Sequence, residues 1–263
     1  MVFGEGDATW EGLHDSYQNR QRGGAIDWGI YANAYDFLPK VFREYRANME
    51  TVERALRIRL SQDSPRICDL GAGTGVYIEH LASRNPNWNF THVDSNQGMT
   101  KVAKAKYGLL RSGQVAIVDD AAQTAKFPRD SFDAVVCVNA LYAMSPQDRV
   151  IRKMFEYLKP NGVLVCIDFG RKQNPLDWLG EFVRLITSRE IDLSTAFRTL
   201  RVASNLLQQA FRGVGGQVSG TYWMHELDEF TSAFEQSGFL VEESFVCYRG
   251  YCDGVIARKP LNS

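Results

Sequence analysis

The residues with the clearest chemical potential begin at Asp69. The run Asp69-Leu70-Gly71-Ala72-Gly73-Thr74-Gly75 follows the apolar stretch Arg66-Ile67-Cys68 and precedes Val76 to Arg84, where Tyr77, Ile78, Leu81 and Ala82 recur at helical spacing. A strand that feeds a helix through glycines makes a tight turn whose backbone a ligand can touch. The helix start then presents unpaired N–H groups. Dinucleotide sites use a turn spaced GxGxxG. Here Gly71, Gly73 and Gly75 give GxGxG, with an acid two residues ahead of the first glycine. A carboxylate there repels a pyrophosphate and attracts an ammonium.

Further acids follow in order. Asp94 closes a second apolar stretch, Phe90 to Val93, 19 residues after Gly75. It is placed to accept hydrogen bonds from both hydroxyls of a ribose, a feature shared with nicotinamide enzymes. Asp119-Asp120-Ala121 follows Val115 to Val118 and offers an acceptor for an adenine amino group. Phe132-Asp133-Ala134-Val135-Val136 and Leu158-Lys159-Pro160-Asn161-Gly162 complete the series.

These five motifs, over residues 64–170 together with a terminal strand pair, resemble class I S-adenosylmethionine-dependent methyltransferases of the small-molecule kind (type 11/25-like). The resemblance implies S-adenosylmethionine as cofactor, a ligand with an amine, a sulfonium and no phosphate. It places Asp69, Gly71, Gly73 and Gly75 near the methionine part, Asp94 on the ribose, and Asp120 and Ala121 near adenine, with Asp119 the alternative contact. Asn139 falls near the methionine amine or the transferred methyl, or is a turn residue. Tyr35, in Ala34-Tyr35-Asp36, looks like an aromatic that closes over the cofactor; plain helix packing is its other reading.

The elements that must position these groups alternate. Apolar strands at 66–70, 90–93, 115–118, 132–138 and 163–167 are separated by helical patterns at 76–84, 98–107 and 147–158, the signature of a parallel sheet covered on both faces. A helix at 227–237 and an antiparallel pair, 239–247 and 252–258, joined at Arg249-Gly250, close the chain. The expected fold is α/β: a Rossmann-like, doubly wound, seven-stranded sheet whose last strand is antiparallel. N-terminal helices precede it, and a helical cap is inserted after the fifth strand. The expected units are a leader and helices over 1–62, with a break near Pro39, a cofactor-binding core over 63–171, a cap over 172–220, and a completing unit over 221–263. The cap patterns are Leu176, Leu179, Phe182, Val183 and Ile186, then Leu193, Phe197, Leu200, Leu207 and Phe211.

Methyl transfer is an in-line displacement at carbon, so the protein's main task is to align the acceptor. A base that removes the acceptor's proton adds ~10²–10⁴-fold. Of four histidines, His225 is the candidate, after Tyr222-Trp223-Met224 and before a helix; packing is its other reading. His80 and His92 read as structural, and His14 lies in the leader. Tyr142, just after the fourth strand, is expected to line an acceptor pocket or to pack its wall. Asn139 and Asp168 alone make an incomplete metal cluster, so no metal is expected.

Composition narrows the partners. Thirty basic and 31 acidic residues leave a formal net charge of −1, with 44% hydrophobic residues. That balance gives no general attraction to nucleic acid or acidic membranes. No apolar run reaches the ~18 residues of a membrane span. The start of the chain lacks the pattern of a secretory signal. Five cysteines, none in CxxC spacing, read as buried thiols of a reducing compartment. The expectation is a cytoplasmic monomer or homodimer acting on a small-molecule acceptor, with neither nucleic acid nor membrane as partner. An RNA or tRNA methyltransferase is the rival within the chemistry. Asn139-Ala140-Leu141-Tyr142 lacks the prolines of base-amino enzymes, and Cys137 lies inside a strand rather than a loop. A non-catalytic S-adenosylmethionine-binding protein is the rival outside it.

Overall fold

The computed structural model describes residues 28–192, 194–197, 199, 212 and 214–261. Seven strands form one sheet: β1 (Arg66–Leu70), β2 (Asn89–Val93), β3 (Val115–Val118), β4 (Phe132–Val138), β5 (Leu158–Phe169), β6 (Leu240–Cys247) and β7 (Cys252–Arg258). Their order across the sheet is β3-β2-β1-β4-β5-β7-β6. The first five pair in parallel, and β7 runs antiparallel to both β5 and β6. The expected doubly wound sheet with an antiparallel last strand is present.

All seven residues of β4 are buried because both faces of the sheet are covered. Alternation divides the strand between two cores. Ala134, Val136 and Val138 join Ile67, Ile78, Leu81 and Leu56 on one face. Val135 and Cys137 join Met154, Phe230, Phe234 and Val255 on the other. The helix Arg43–Arg59 buries Tyr45, Asn48, Met49, Val52, Ala55 and Leu56, one stripe at helical spacing. Its Glu44 in the first turn and Arg57 and Arg59 in the last complement the helix dipole.

Two of the sequence motifs prove to be structural. Asp133 accepts from the Arg66 backbone N–H at 2.8 Å and pairs with Lys159 Nζ at 2.8 Å, fastening the base of β1 to β4 and β5. The run Lys159 to Gly162, expected as a connection, lies inside β5. The strand absorbs it through a register shift between Phe132 and Ala134, with Asn161 at φ 64°.

The N-terminal helical region breaks twice, giving helices Trp28–Tyr35, Leu38–Val41 and Arg43–Arg59. Pro39 falls in the first turn of the short middle helix, where its missing N–H costs nothing. The cap supplies the helix Pro175–Thr187, with Phe182 and Leu185 buried. Of its second pattern, Phe197 is exposed, while Leu193, Leu200, Leu207 and Phe211, like the leader with His14, lie outside the described residues. No helix among the described residues is long and apolar enough to cross a membrane.

Leu56 is fully buried where Arg43–Arg59 meets the sheet. Leu56→Ala is expected to cost ~2–5 kcal/mol in denaturant unfolding. A loss below ~1 kcal/mol would mean this helix is not packed on the core as described.

Candidate active site

The glycine bend leaves β1 at the edge shared with β2 and β4. The Gly71 and Ala72 N–H groups donate to the Val93 carbonyl at 2.8 and 3.1 Å, which pins the bend to the end of β2. Gly71, Gly73 and Gly75 take φ of 76°, 56° and 72°, the left-handed region that side chains disfavour. A Cβ on Gly71 would strike Ala140, and one on Gly75 would strike the Tyr107 ring. Gly75 caps the helix Val76–Arg84, so the helix N-terminus opens onto the bend.

Two carboxyls border it. Asp94 Oδ2 accepts from the Gly73 N–H at 2.8 Å and Oδ1 from the Asn96 N–H at 2.7 Å. Each oxygen keeps a lone pair for another donor. Burial raises the Asp94 carboxyl above its usual range, against those two backbone bonds. Asp69 is only 4% exposed. Burial, and after it the charge of Asp94, push the Asp69 carboxyl up to about 8. Its carboxylate has no ion pair and no hydrogen bond among the described residues.

The strand ends bring further expected residues to this place. Asn139 ends β4 at φ 53°. Its N–H donates to the Ile167 carbonyl at 2.8 Å. Its Nδ2 donates to Tyr248 Oη at 3.2 Å, and its Oδ1 accepts from Cys252 Sγ at 3.7 Å. Tyr35 hydrogen-bonds with Asn139 and feels the charge of Asp69, while burial drives its hydroxyl well up. Asp36, beside it, accepts from Thr74 Oγ1 of the bend at 2.6 Å and pairs with Lys106 at 2.5 Å. After β3, Asp120 Oδ1 accepts from the Ala121 N–H at 2.7 Å and from Thr124 Oγ1 at 2.5 Å. Asp119 is exposed and pairs with Lys104 at 3.0 Å.

An aromatic wall adjoins Asn139. Tyr142 is buried, with ring centroids of Phe169 at 5.6 Å, Tyr222 at 4.9 Å and Trp28 at 6.4 Å. Tyr248 continues it to Tyr45 at 4.6 Å and Trp178 at 6.4 Å. Cys252, Asp36 and Trp178 carried no signal in the sequence that marked them as site residues.

His225 donates its backbone N–H to the carbonyl of Gly170 at 3.0 Å, one residue beyond Phe169 of the wall. Its ring is fully buried, stacks on Phe230 at 4.3 Å, and packs with the second core. Nδ1 lies 3.1 Å from Asp253 Oδ2, and Arg171 holds the same carboxylate at 2.6 Å through Oδ1. Burial lowers the imidazole's proton affinity, outweighing Asp253, so the ring is neutral at pH 7. The carboxylate fixes the proton on Nδ1 and leaves Nε2 as the acceptor atom. His92, held down to about 4 by burial, bonds to Tyr107 Oη at 2.9 Å. His80 bonds to Glu53 at 2.9 Å. Asp168 is fully buried, and burial drives its carboxyl well up. No group of three metal-ligating side chains occurs among the described residues.

Residues 67–162 match the profile of the methyltransferase domain family. A demethylmenaquinone methyltransferase of Listeria welshimeri is 25% identical over 143 residues, 54% of this chain and 60% of that protein. The chain spans between 27% and 60% of the length of the first curated relatives it matches. Among solved structures, the Haloferax volcanii complex of the Trm112 methyltransferase activator with a methyltransferase superposes with TM-score 0.61 at 14% identity, over 89% of this chain and 98% of that one. The [4+2]-cyclase SpnF superposes with TM-score 0.57 at 16% identity, over 82% of each chain. These two likenesses are of fold alone. The domain match, the strand order and the carboxylate-edged bend together are similar to those of the class I S-adenosylmethionine-dependent methyltransferases.

Proposed function

We propose that this chain transfers a methyl group from S-adenosylmethionine to a small, ring-bearing acceptor. One observation carries the reading: Asp69 is a buried carboxyl beside a glycine bend, and no cation of the described residues meets it. A buried charge needs a partner, and a ligand ammonium is one. A pyrophosphate would instead bring negative charge against both Asp69 and Asp94, which disfavours a dinucleotide.

The residues fit the cofactor in the following roles. Asp69 and the backbone of Gly71, Gly73 and Gly75 hold the amino-acid part. Asp94 uses its remaining lone pairs on the ribose diol, and Asp120 with Ala121 borders the adenine. Asn139 and Tyr35 flank the sulfonium region. Bound S-adenosylmethionine supplies an electrophilic methyl group. The wall of Tyr142, Phe169, Tyr222 and Trp178 excludes water and orients a flat acceptor in line with it. The relative named for demethylmenaquinone supports a ring-bearing acceptor. His225 Nε2 is the proposed proton acceptor.

At pH 7 the Asp69 carboxyl, at about 8, is mostly protonated in the free protein. An ammonium ligand ionises it. Calorimetric titration with S-adenosylhomocysteine is therefore expected to release about one proton, seen as a heat that changes with the buffer. Asp94→Ala should weaken that binding by ~1–3 kcal/mol. Micromolar binding of NAD with none of S-adenosylhomocysteine would contradict the proposal.

The same carboxyl sets a stability slope in the free protein. The fold keeps its proton from 3.8, the ordinary value, up to about 8, while the unfolded chain gives it up. The unfolded state thus binds fewer protons over that window, and stability falls as pH rises through it. Asp69→Asn should flatten the fall and raise Tm at pH 8. An unchanged slope would contradict the buried, unpartnered carboxyl.

His225→Ala should slow turnover by ~10²–10⁴-fold while S-adenosylhomocysteine affinity holds. Normal turnover with a lowered Tm would make His225 a packing residue of the second core.

A further inference from the structure

Cys247 and Cys252 are register partners at the closed end of the β6–β7 hairpin. Partners in an antiparallel ladder hold their Cα atoms ~4.5 or ~5.5 Å apart; disulfides span ~4.4–6.8 Å. Both cysteines are free thiols. Cys247 is partly exposed and Cys252 is fully buried. Each thiol also reaches outward. Asn48 Nδ2 donates to Cys247 Sγ at 3.6 Å, and Cys252 Sγ donates to Asn139 Oδ1 at 3.7 Å. The Asn139 amide is therefore clamped on both sides, its Nδ2 on Tyr248 Oη and its Oδ1 on the Cys252 thiol. A second register pair, Cys137 and Cys166, spans β4 and β5 with both residues wholly buried.

We propose that Cys247 and Cys252 form a reversible disulfide that removes the Cys252 S–H from Asn139 and so couples thiol oxidation to nucleoside binding. The coupling rests on the function proposed above; the bridge itself does not. The oxidant is a hydroperoxide. The sulfur of the partly exposed Cys247 attacks an oxygen of hydrogen peroxide, the O–O bond breaks, and the thiol proton leaves with the departing hydroxyl as water. The product is a sulfenic acid. The Cys252 sulfur then attacks the Cys247 sulfur, the S–O bond breaks, and the hydroxyl leaves with the Cys252 proton as a second water. Two thiols are oxidised and one peroxide is reduced. Burial and the Cys247 thiol hold Cys252 well above the usual thiol range, which suits it to the resolving step rather than the first attack. Burial of both Cys137 and Cys166 keeps that pair from the oxidant.

The test uses the whole reduced chain with hydrogen peroxide, read by intact mass, peptide mapping and S-adenosylhomocysteine calorimetry. The expected result is loss of the mass of two hydrogens and a linked peptide joining Cys247 to Cys252. Nucleoside affinity should fall about tenfold, on the order of one hydrogen bond, and dithiothreitol should restore it. Cys247→Ser should bind like the reduced wild type and keep its affinity after peroxide. A bridge through any other pair, oxygen addition alone, or no change of mass would overturn the proposal. A Cys247–Cys252 bridge with unchanged affinity would overturn the coupling. Reduced protein that never binds the nucleoside would count against the proposed function and remove the coupling with it, while the bridge stands or falls on mass alone.

Discussion

The site is organised by a charge that the chain does not neutralise. Asp69 and Asp94 end neighbouring parallel strands, so the sheet register brings two acids to one side of the same bend. Water is largely excluded there, and their mutual repulsion adds to the cost of burial. An arginine or lysine placed between them would relieve it. Among the described residues none is. The backbone N–H groups of Gly73 and Asn96 satisfy part of Asp94; Asp69 is left to keep its proton or to meet a ligand. Such a vacancy of positive charge is costly in a free protein and valuable to one that must recognise an ammonium.

The rest of the fold can be understood as the support of that arrangement. Strand order reverses at β1, which has β2 on one side and β4 on the other. The connections therefore diverge, and a crevice opens beyond the strand ends. The bend lines the crevice from β1, Asp94 from β2 and Asn139 from β4. Left-handed φ at three glycines and at Asn139 lets the backbone turn away without filling the space. Asp36, bonded to Thr74 and Lys106, brings the N-terminal helices and Tyr35 over the same crevice. The aromatic wall gathers rings from the N-terminal helices, the end of β5, the cap and the hairpin.

What was legible in the sequence was what is local. The bend, the acids at strand ends and the apolar run of β4 lie within a few residues of their own context, so pattern and spacing reveal them. The Asn139 clamp was not legible, because Tyr248 and Cys252 lie 109 and 113 residues away. Nothing in either segment signals the other; only the antiparallel return of β7 beside β5 brings them together. The role of Asp133 was hidden similarly, since its lysine partner belongs to another motif. The break expected near Pro39 falls on both sides of it, after Tyr35 and after Val41, because Pro39 itself opens a short helix. His225 stood out in the sequence by its neighbours, but the packing of its ring on Phe230 beside the second core was not legible there. Burial of that kind is decided by helix 227–236, not by local spacing.

Fold likeness does not choose between these chemistries, since a cyclase and a methyltransferase share the architecture. The Asp69 carboxyl reports whether an ammonium-bearing nucleoside binds at the bend. Its titration followed by carbon NMR, first in the free protein and then with S-adenosylhomocysteine, is the most direct measurement. The account predicts a free carboxyl that ionises at about 8, and one that stays ionised throughout neutral pH once the nucleoside is bound. A free Asp69 in the ordinary carboxylate range, or a titration unmoved by the nucleoside, would contradict it.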